Sequence, residues 1–166
     1  MLQHLSGNNK KGFSLIEILV AVAIISSSLI SLLGLTSFCL RITSVINQTN
    51  KANNMAQEIM EQIRNFRDVT SWNTDGLGTL TPNIDYYVQK SGTPAIWQLI
   101  QGTETVNGFT RKAVFEDVIR DLNDDIVESG GVNDPNTKKI TVTVSWQERG
   151  NNRQIELLSY FTNWRR

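Results

Sequence analysis

The sequence predicts an α+β protein in which one long N-terminal helix packs on an antiparallel β-sheet. Residues 13–40 are mostly apolar, with a single charged residue and no proline. Apolar side chains then recur at intervals of three and four through residues 42–66, which indicates one face of a continuing helix. Residues 109–120 and 139–148 instead alternate apolar and polar side chains, as half-buried strands do. A helical repeat followed by strand-like alternation is typical of an α+β domain.

The apolar stretch from Phe13 to Leu40 has a single charged residue, Glu17. As a helix it is about 42 Å long, which exceeds the roughly 30 Å hydrocarbon thickness of a bilayer. A carboxylate at the centre of such a helix costs about 2.5–3.5 kcal/mol, and less near its end. The stretch is therefore predicted to span a membrane, and Glu17 is expected to need a partner.

The residues Lys-Gly-Phe-Ser-Leu-Ile-Glu at 11–17, followed by an apolar helix, resemble the N-terminal signature of type IV prepilins and of type II secretion pseudopilins. The resemblance implies that a prepilin peptidase cuts between Gly12 and Phe13 and that the new amine of Phe13 is methylated. It implies that Glu17, the fifth mature residue, is the assembly glutamate. It also implies a pilin-like fold. Major pilins often have a proline within the apolar helix, so its absence suits a minor pilin.

The signature has a physical rationale. An amine created at Phe13 and the carboxylate of Glu17 have opposite charges, and both lie in or near lipid. Residues one and five of a helix share a face, so the two groups can pair within one chain. The amine of an incoming subunit can equally meet Glu17 of its neighbour, which would fix an axial offset between subunits.

Two other N-terminal signals compete with this interpretation. An ordinary signal anchor would neutralise Glu17 through the positive end of the helix dipole. A secretory signal peptide would use Ala21-Val22-Ala23 as its cleavage site, but that triplet lies inside the apolar stretch rather than at a polar exit.

The chain divides into four predicted regions. A continuous helix is predicted from Phe13 to about Phe66, and Lys10 and Lys11 before it place the leader in the cytoplasm and the domain outside. The regions are a cleaved leader at 1–12, a transmembrane and assembly half-helix at 13–40, an amphipathic half-helix at 41–67, and an antiparallel β region packed on 41–67 at 68–166.

Strand-like segments fill the last region. The predicted strands are Ile84–Gln89, Ile96–Ile100, Phe109–Arg120, Lys139–Glu148 and Arg153–Trp164. Asn107-Gly108 precedes the third as a turn signal, and residues 149–152 form the turn of a C-terminal hairpin. Alternation places Phe109, Ala113 and Phe115 on one face of the third strand and Val118 on the other.

The four tryptophans could form a stacking platform for a sugar or a single strand, although their alternation with core positions favours burial. They are Trp72, Trp97, Trp146 and Trp164.

An acidic segment at 121–137 has enough oxygen ligands for a hard cation, but its spacing does not fit an EF-hand. Asp134-Pro135-Asn136-Thr137 is a type I turn sequence. A solvated loop without a metal is therefore predicted; if a cation binds, its ligands would come from Asp124, Asp125, Glu128 and Asp134.

Composition argues against catalysis and against nucleic-acid binding. The only histidine, His4, is in the predicted leader, and the single cysteine, Cys39, is in the apolar stretch, so a triad, a histidine metal site and an intrachain disulfide are not expected. Loss of two leader lysines leaves 14 basic against 16 acidic side chains, a net charge of about −2, which is unlike a basic nucleic-acid footprint. We expect no enzymatic activity and no cofactor.

These observations together predict a minor subunit of a type IV pilus, whose C-terminal hairpin loosely resembles the pilus-modification class of minor pilins. The alternatives are a minor pseudopilin of a type II secretion system and a signal-anchored extracytoplasmic binding protein that does not polymerise. Expected partners are the prepilin peptidase, the major and other minor pilins, and an inner-membrane assembly platform. Expected locations are the inner membrane, with a single pass and the C-terminal domain outside, and afterwards the filament.

Overall fold

The structure, a computed structural model, describes residue 12 and residues 14–164. The described chain falls into two units, one up to Ser44 and one from Val45 onward. The elements are helix α1 (Leu15–Val69), a short 3₁₀ helix (Leu77–Thr79) and strands β1 (Asp85–Ser91), β2 (Ile96–Gln101), β3 (Glu104–Val106), β4 (Phe109–Arg120), β5 (Ile126–Val127), β6 (Val132–Glu148) and β7 (Asn151–Thr162). A long helix followed by an antiparallel sheet confirms the predicted α+β class.

The first unit consists of the apolar part of α1, whose side chains from Leu15 to Ser44 are exposed. By length and composition, α1 is apolar enough to cross a membrane. Four of its hydroxyl groups donate hydrogen bonds to backbone carbonyls of the same helix, which suits apolar surroundings. The bonds run from Ser27 and Ser28 to the Ile24 carbonyl, from Ser31 to that of Ser27, and from Thr36 to that of Leu32, at 2.8–2.9 Å.

In the second unit, residues 45–69 of α1 pack on the sheet. Ala52 and Ala56 are fully buried, and such small side chains let the helix approach the strands closely. Ile46 was assigned to the same apolar face but is exposed, so the buried face begins at Ala52. The buried residues of the helix are Ala52, Ala56, Ile59, Met60, Gln62, Ile63 and Phe66.

All pairings in the sheet are antiparallel, in the order β2-β1-β4-β6-β7, and β3 and β5 also pair with β4. Two-residue turns connect β3 to β4 through Asn107-Gly108 and β6 to β7 through Arg149-Gly150. All four residues have positive φ, between 50° and 83°, as a type I′ hairpin turn requires. The predicted third strand coincides with β4. Strand β3 was not predicted because three residues are too few to show alternation.

The start of β6 differs from the prediction. The strand begins at Val132 rather than Lys139, so the segment Asp134 to Thr137 lies within β6 instead of reversing the chain. Asp117 pairs with Lys138 whereas Val118 pairs with Asp134, which leaves residues 135–137 without partners in β4. The turn sequence therefore produces a local irregularity in a long strand, a position where proline is tolerated.

Val118 is buried beside this irregularity. Simple alternation places Val118 on the face opposite Phe115, and Val118 does not belong to the cluster of buried core side chains that contains Phe115. The register shift lies between Asp117 and Val118, and the additional residues are in β6. The placement of Val118 on the other face stays a prediction.

The core lies between α1 and one face of the sheet. Val142 and Val144 of β6 are fully buried, as is Phe115 of β4. The Tyr86 ring meets the Phe115 ring edge-on, with 5.5 Å between centroids. The loop after α1 joins this core through Leu77, which is also fully buried.

Candidate functional site

The first turn of α1 positions Glu17. The Ser14 carbonyl accepts hydrogen bonds from the backbone N–H groups of Glu17, at 3.0 Å, and of Ile18, at 3.3 Å, so the helix starts at this residue. Ser14-Leu15-Ile16-Glu17 has the Ser-x-x-Glu spacing of a capping box, a start signal that the sequence analysis did not use. An acidic residue in the first turn is favoured by the helix dipole.

Glu17 is exposed on an apolar surface formed by neighbours such as Ile16 and Ile18. Its carboxylate has no ion pair or hydrogen bond with any residue that the structure describes. A carboxylate in this setting is expensive to place in lipid unless a positive group approaches it. Whatever neutralises Glu17 in a membrane therefore comes from outside the described residues.

Gly12 lies just before this turn. It is exposed, and a Cβ built on it would meet no atom within 4 Å. A larger residue at position 12 is therefore compatible with the residues that the structure describes. Phe13, predicted to carry the methylated amine, lies outside the described residues.

The acidic candidates for a cation site are separated by an arginine. Asp134 Oδ2 lies 2.8 Å from Arg120 Nε and 2.6 Å from Thr137 Oγ1, and Asp134 Oδ1 accepts a bond from the Asn136 N–H at 2.9 Å. Burial by itself raises the pKa of Asp134, but the hydrogen bonds from Thr137, Arg120 and Asn136 together lower it. Asp124 Oδ1 faces the same guanidinium at 3.7 Å.

Arg120 thus pairs with two of the four candidate carboxylates, Asp124 and Asp134. Its own pKa is raised, chiefly by the hydrogen bond to Asp134. Asp125 and Glu128, the other two candidates, are exposed, and residues 12 and 14–164 include no group of three or more His, Cys, Asp or Glu side chains placed to hold a metal ion. The sequence analysis missed Arg120 because its contact with Asp134 depends on strand register.

The tryptophans do not share one environment. Trp72 and Trp146 are buried and Trp97 is half-buried, whereas Trp164 is 59% exposed. The expectation of burial was wrong for Trp164, because it lies beyond the last residue of β7, where the sheet no longer dictates which side is covered.

Comparison with known families gives one match. The sequence model of the prokaryotic N-terminal methylation motif matches residues 7–33, a range that contains Gly12, Phe13 and Glu17. The match supports a type IV prepilin-like or pseudopilin-like protein. A motif of this type implies processing by prepilin peptidase and pilin-type assembly in general. Neither the curated proteins nor the solved structures include a significant match.

Proposed function

We propose that the chain is a non-catalytic minor subunit of a type IV pilus, cut between Gly12 and Phe13 and assembled through its N-terminal helix. The observation that carries the proposal is Glu17, a lone carboxylate in the first turn of an exposed apolar helix, within a matched methylation motif.

The proposed mechanism is pairing between subunits. Cleavage creates a positive amine at Phe13, and Glu17 offers a carboxylate without a described partner. In the low dielectric of lipid, each charge is unfavourable alone and strongly attracts the other when they are close. Pairing of one subunit's amine with its neighbour's Glu17 would draw a new subunit into the filament and set its axial position.

Two features support a minor rather than a major subunit. The apolar stretch 13–40 contains no proline, and the C-terminal hairpin of β6 and β7 loosely resembles the pilus-modification class. On this proposal the subunit waits in the inner membrane with residues 68–166 outside the cytoplasm, and then enters the filament with major and other minor pilins through an assembly platform.

Two other functions are consistent with some of the same observations. A minor pseudopilin of a type II secretion system would share every N-terminal feature and differ in the genes that accompany it. A signal-anchored binding protein would keep its leader and never polymerise. We propose that none of these forms is catalytic, since the chain after residue 12 contains no histidine and its one thiol, Cys39, is in the apolar helix.

Intact-mass analysis of the membrane-extracted protein tests the proposed processing. We expect the wild-type mass to be that of a chain beginning at N-methylated Phe13. Gly12→Val should accumulate as the full-length chain, because the peptidase needs a small residue at the cut while position 12 has free space in the chain itself.

Gly34→Val is the matched control, since a Cβ at Gly34 also meets no atom within 4 Å. This variant should be cut and methylated like the wild type. Retention of Met1 on the wild-type protein would contradict the proposal and favour the signal-anchored alternative.

A further inference from the structure

Strand β2 forms one edge of the sheet. The strand order begins with β2, and its one neighbour among the described strands is β1. No backbone hydrogen bond joins the outer edge of β2 to any residue that the structure describes. Every second residue of β2 therefore presents an N–H and a C=O group that have no backbone partner in the described part of the chain. The proposed function uses none of these residues.

Strand β2 lacks the features that usually keep an exposed edge from pairing with another strand, namely charged side chains, prolines and bulges. Its sequence, Ile-Trp-Gln-Leu-Ile-Gln at 96–101, contains no charge and no proline, and its pairing with β1 continues without a bulge. The other edge strand, β7, carries Arg153 and Glu156. The β2 edge is therefore the better suited of the two to accept a further strand.

The side chains of β2 offer apolar contacts on both faces of the sheet. Ile96, Gln98 and Ile100 share one face, because successive side chains of a strand alternate. Ile96 is 43% exposed, and Gln98 is also exposed. Trp97 and Leu99 lie on the other face and pack against the core. A strand added beside β2 would thus meet apolar groups on both faces and an amide at the centre.

The order of side chains in β2 has nearly the same character in both directions. In each direction from Gln98, a large apolar residue is followed by an isoleucine. In an antiparallel pair of two copies centred on Gln98, Ile96 faces Ile100 of the second copy. Trp97 then faces Leu99 of the second copy, and the two Gln98 side chains face each other. Each pair joins side chains of the same character, and no like charges are brought together.

The Gln98 amide also favours this arrangement. Its Oε1 accepts a hydrogen bond from Ser91 Oγ, whereas its Nε2 makes no hydrogen bond with the residues that the structure describes. An amide oxygen has two lone pairs, so it can accept a second hydrogen bond. Two facing Gln98 side chains can therefore bond to each other.

We propose that β2 pairs antiparallel with β2 of a second copy of this chain, about a two-fold axis at Gln98. Such an axis uses the same surface on both copies, as most homodimers do. The inference rests on the membrane anchoring in the proposed function. One strand pair buries less than the roughly 1,000 Å² of a stable interface, so the domain alone stays monomeric in dilute solution. Confinement to a membrane raises the concentration of the chain and favours the pair by mass action.

Cross-linking of single cysteines in native membranes tests the proposal. Every chain carries Cys39→Ala, which removes the one native thiol. In Gln98→Cys the two thiols face each other, since directly opposite side chains have Cβ atoms about 4.5–5.5 Å apart. A bifunctional methanethiosulfonate with an ethylene spacer joins close thiols without an added oxidant. This reagent should convert Gln98→Cys to a species of twice the chain mass.

Matched variants determine where the copies meet. Gln154→Cys places an exposed thiol on β7, the other edge strand, and should give no cross-linked dimer. Ile96→Cys alone should also give none, because its two thiols would lie about 13 Å apart along the strands at 3.3 Å per residue. Co-expression of Ile96→Cys with Ile100→Cys should restore the dimer, because these two positions face each other across the pair.

The results decide both the contact and its register. Dimer from Gln98→Cys and from the mixed isoleucine variants, with none from Gln154→Cys or from Ile96→Cys alone, supports the proposal. The proposal would be overturned by the absence of dimer from Gln98→Cys, by equal dimer from Gln154→Cys, by dimer from Ile96→Cys alone, or by linkage of Gln98→Cys to a different protein. The intact mass of the same membrane samples reports the cut between Gly12 and Phe13, so failure of the proposed processing is seen separately.

Discussion

Arg120 of β4 and Asp134 of β6 form an ion pair, with 2.8 Å between Nε and Oδ2, at the point where the register of these strands shifts. The pair is supported by Thr137 and by the backbone of Asn136, so it links β4 to residues 135–137, which have no partners of their own in β4. An acidic residue that could have served a cation instead stabilises an irregular strand.

Asp134→Asn is expected to lower the free energy of unfolding at pH 7 by about 1–2 kcal/mol, since a partly exposed pair with supporting hydrogen bonds has that order of effect. The folded pKa of Asp134 is lowered, so its contribution is present above the ordinary aspartate value of about 3.9 and is lost as pH falls through the folded pKa. Melting temperatures of wild type and variant should therefore converge in acid.

Asp124→Asn is the control for this experiment. Asp124 faces the same guanidinium, but at 3.7 Å and with its side chain 89% exposed. Its loss should change the free energy of unfolding by less than about 0.5 kcal/mol. Equal effects of the two substitutions, or a gap between wild type and Asp134→Asn that persists unchanged at low pH, would contradict this account of the pair.

Trp72 ties the loop after α1 to the same irregular segment. Its Nε1–H donates to the Pro135 carbonyl at 2.8 Å, and the ring is buried. Trp72→Phe keeps an aromatic ring but removes the donor, so we expect a loss of about 1–3 kcal/mol in urea unfolding. Trp97→Phe should have a much smaller effect because Trp97 is half-buried and its Nε1–H makes no hydrogen bond with the part of the chain that the structure describes. Comparable losses at the two positions would refute a specific role for the Trp72 bond.

The sequence predicted the elements whose signals lie within a few neighbouring residues, and it did not predict features that depend on distant residues. Strand β4 was predicted to its ends because a turn signal precedes a long alternation. The start of β6 was not predicted. Judged by its neighbours in the sequence, Asp134-Pro135 is typical of a turn, but Asp134 pairs with Val118 of β4 and so lies in the strand. Long-range register of this kind cannot be read from neighbouring residues.

The same distinction holds for the sites. Gly12, Phe13 and Glu17 were identified because all three belong to one contiguous sequence motif. The ion pair of Arg120 with Asp134 instead joins two strands. It depends on how those strands pair and carries no local pattern.

Truncation tests the packing of α1 on the sheet. A fragment of residues 41–166 lacks the apolar stretch but keeps every buried residue of the helix, so it should be soluble, folded and monomeric. A fragment of residues 64–166 loses Ala52, Ala56, Ile59 and Ile63, which should expose the Val142 and Val144 face and cause aggregation.

Size-exclusion chromatography with light scattering and a thermal melt distinguish the two fragments. A fragment starting at Val45 serves as the control, since the buried face begins at Ala52 and should survive intact. A monomeric, cooperatively melting 64–166 fragment would show that the helix is not needed to cover the sheet.

The central claim is that Glu17 assembles the filament by pairing with the amine of a neighbouring Phe13. Glu17→Val removes a charge from an apolar helix, so membrane insertion should be at least as easy and the cut after Gly12 should still occur. The amine of a neighbour would then lie in lipid without its partner, which costs more than the pair itself contributed. Glu17→Asp should enter filaments at an intermediate level, because the aspartate side chain is shorter by one methylene group and its carboxylate reaches less far toward the amine. Ser28→Val is the matched control, since its hydroxyl bonds only within its own helix.

The most direct measurement is the amount of this protein in sheared filaments relative to the membrane fraction, compared among wild type, Glu17→Val, Glu17→Asp and Ser28→Val. The account predicts that Glu17→Val is inserted and processed but absent from filaments, while Ser28→Val is incorporated like the wild type. Normal incorporation of processed Glu17→Val would contradict the pairing mechanism.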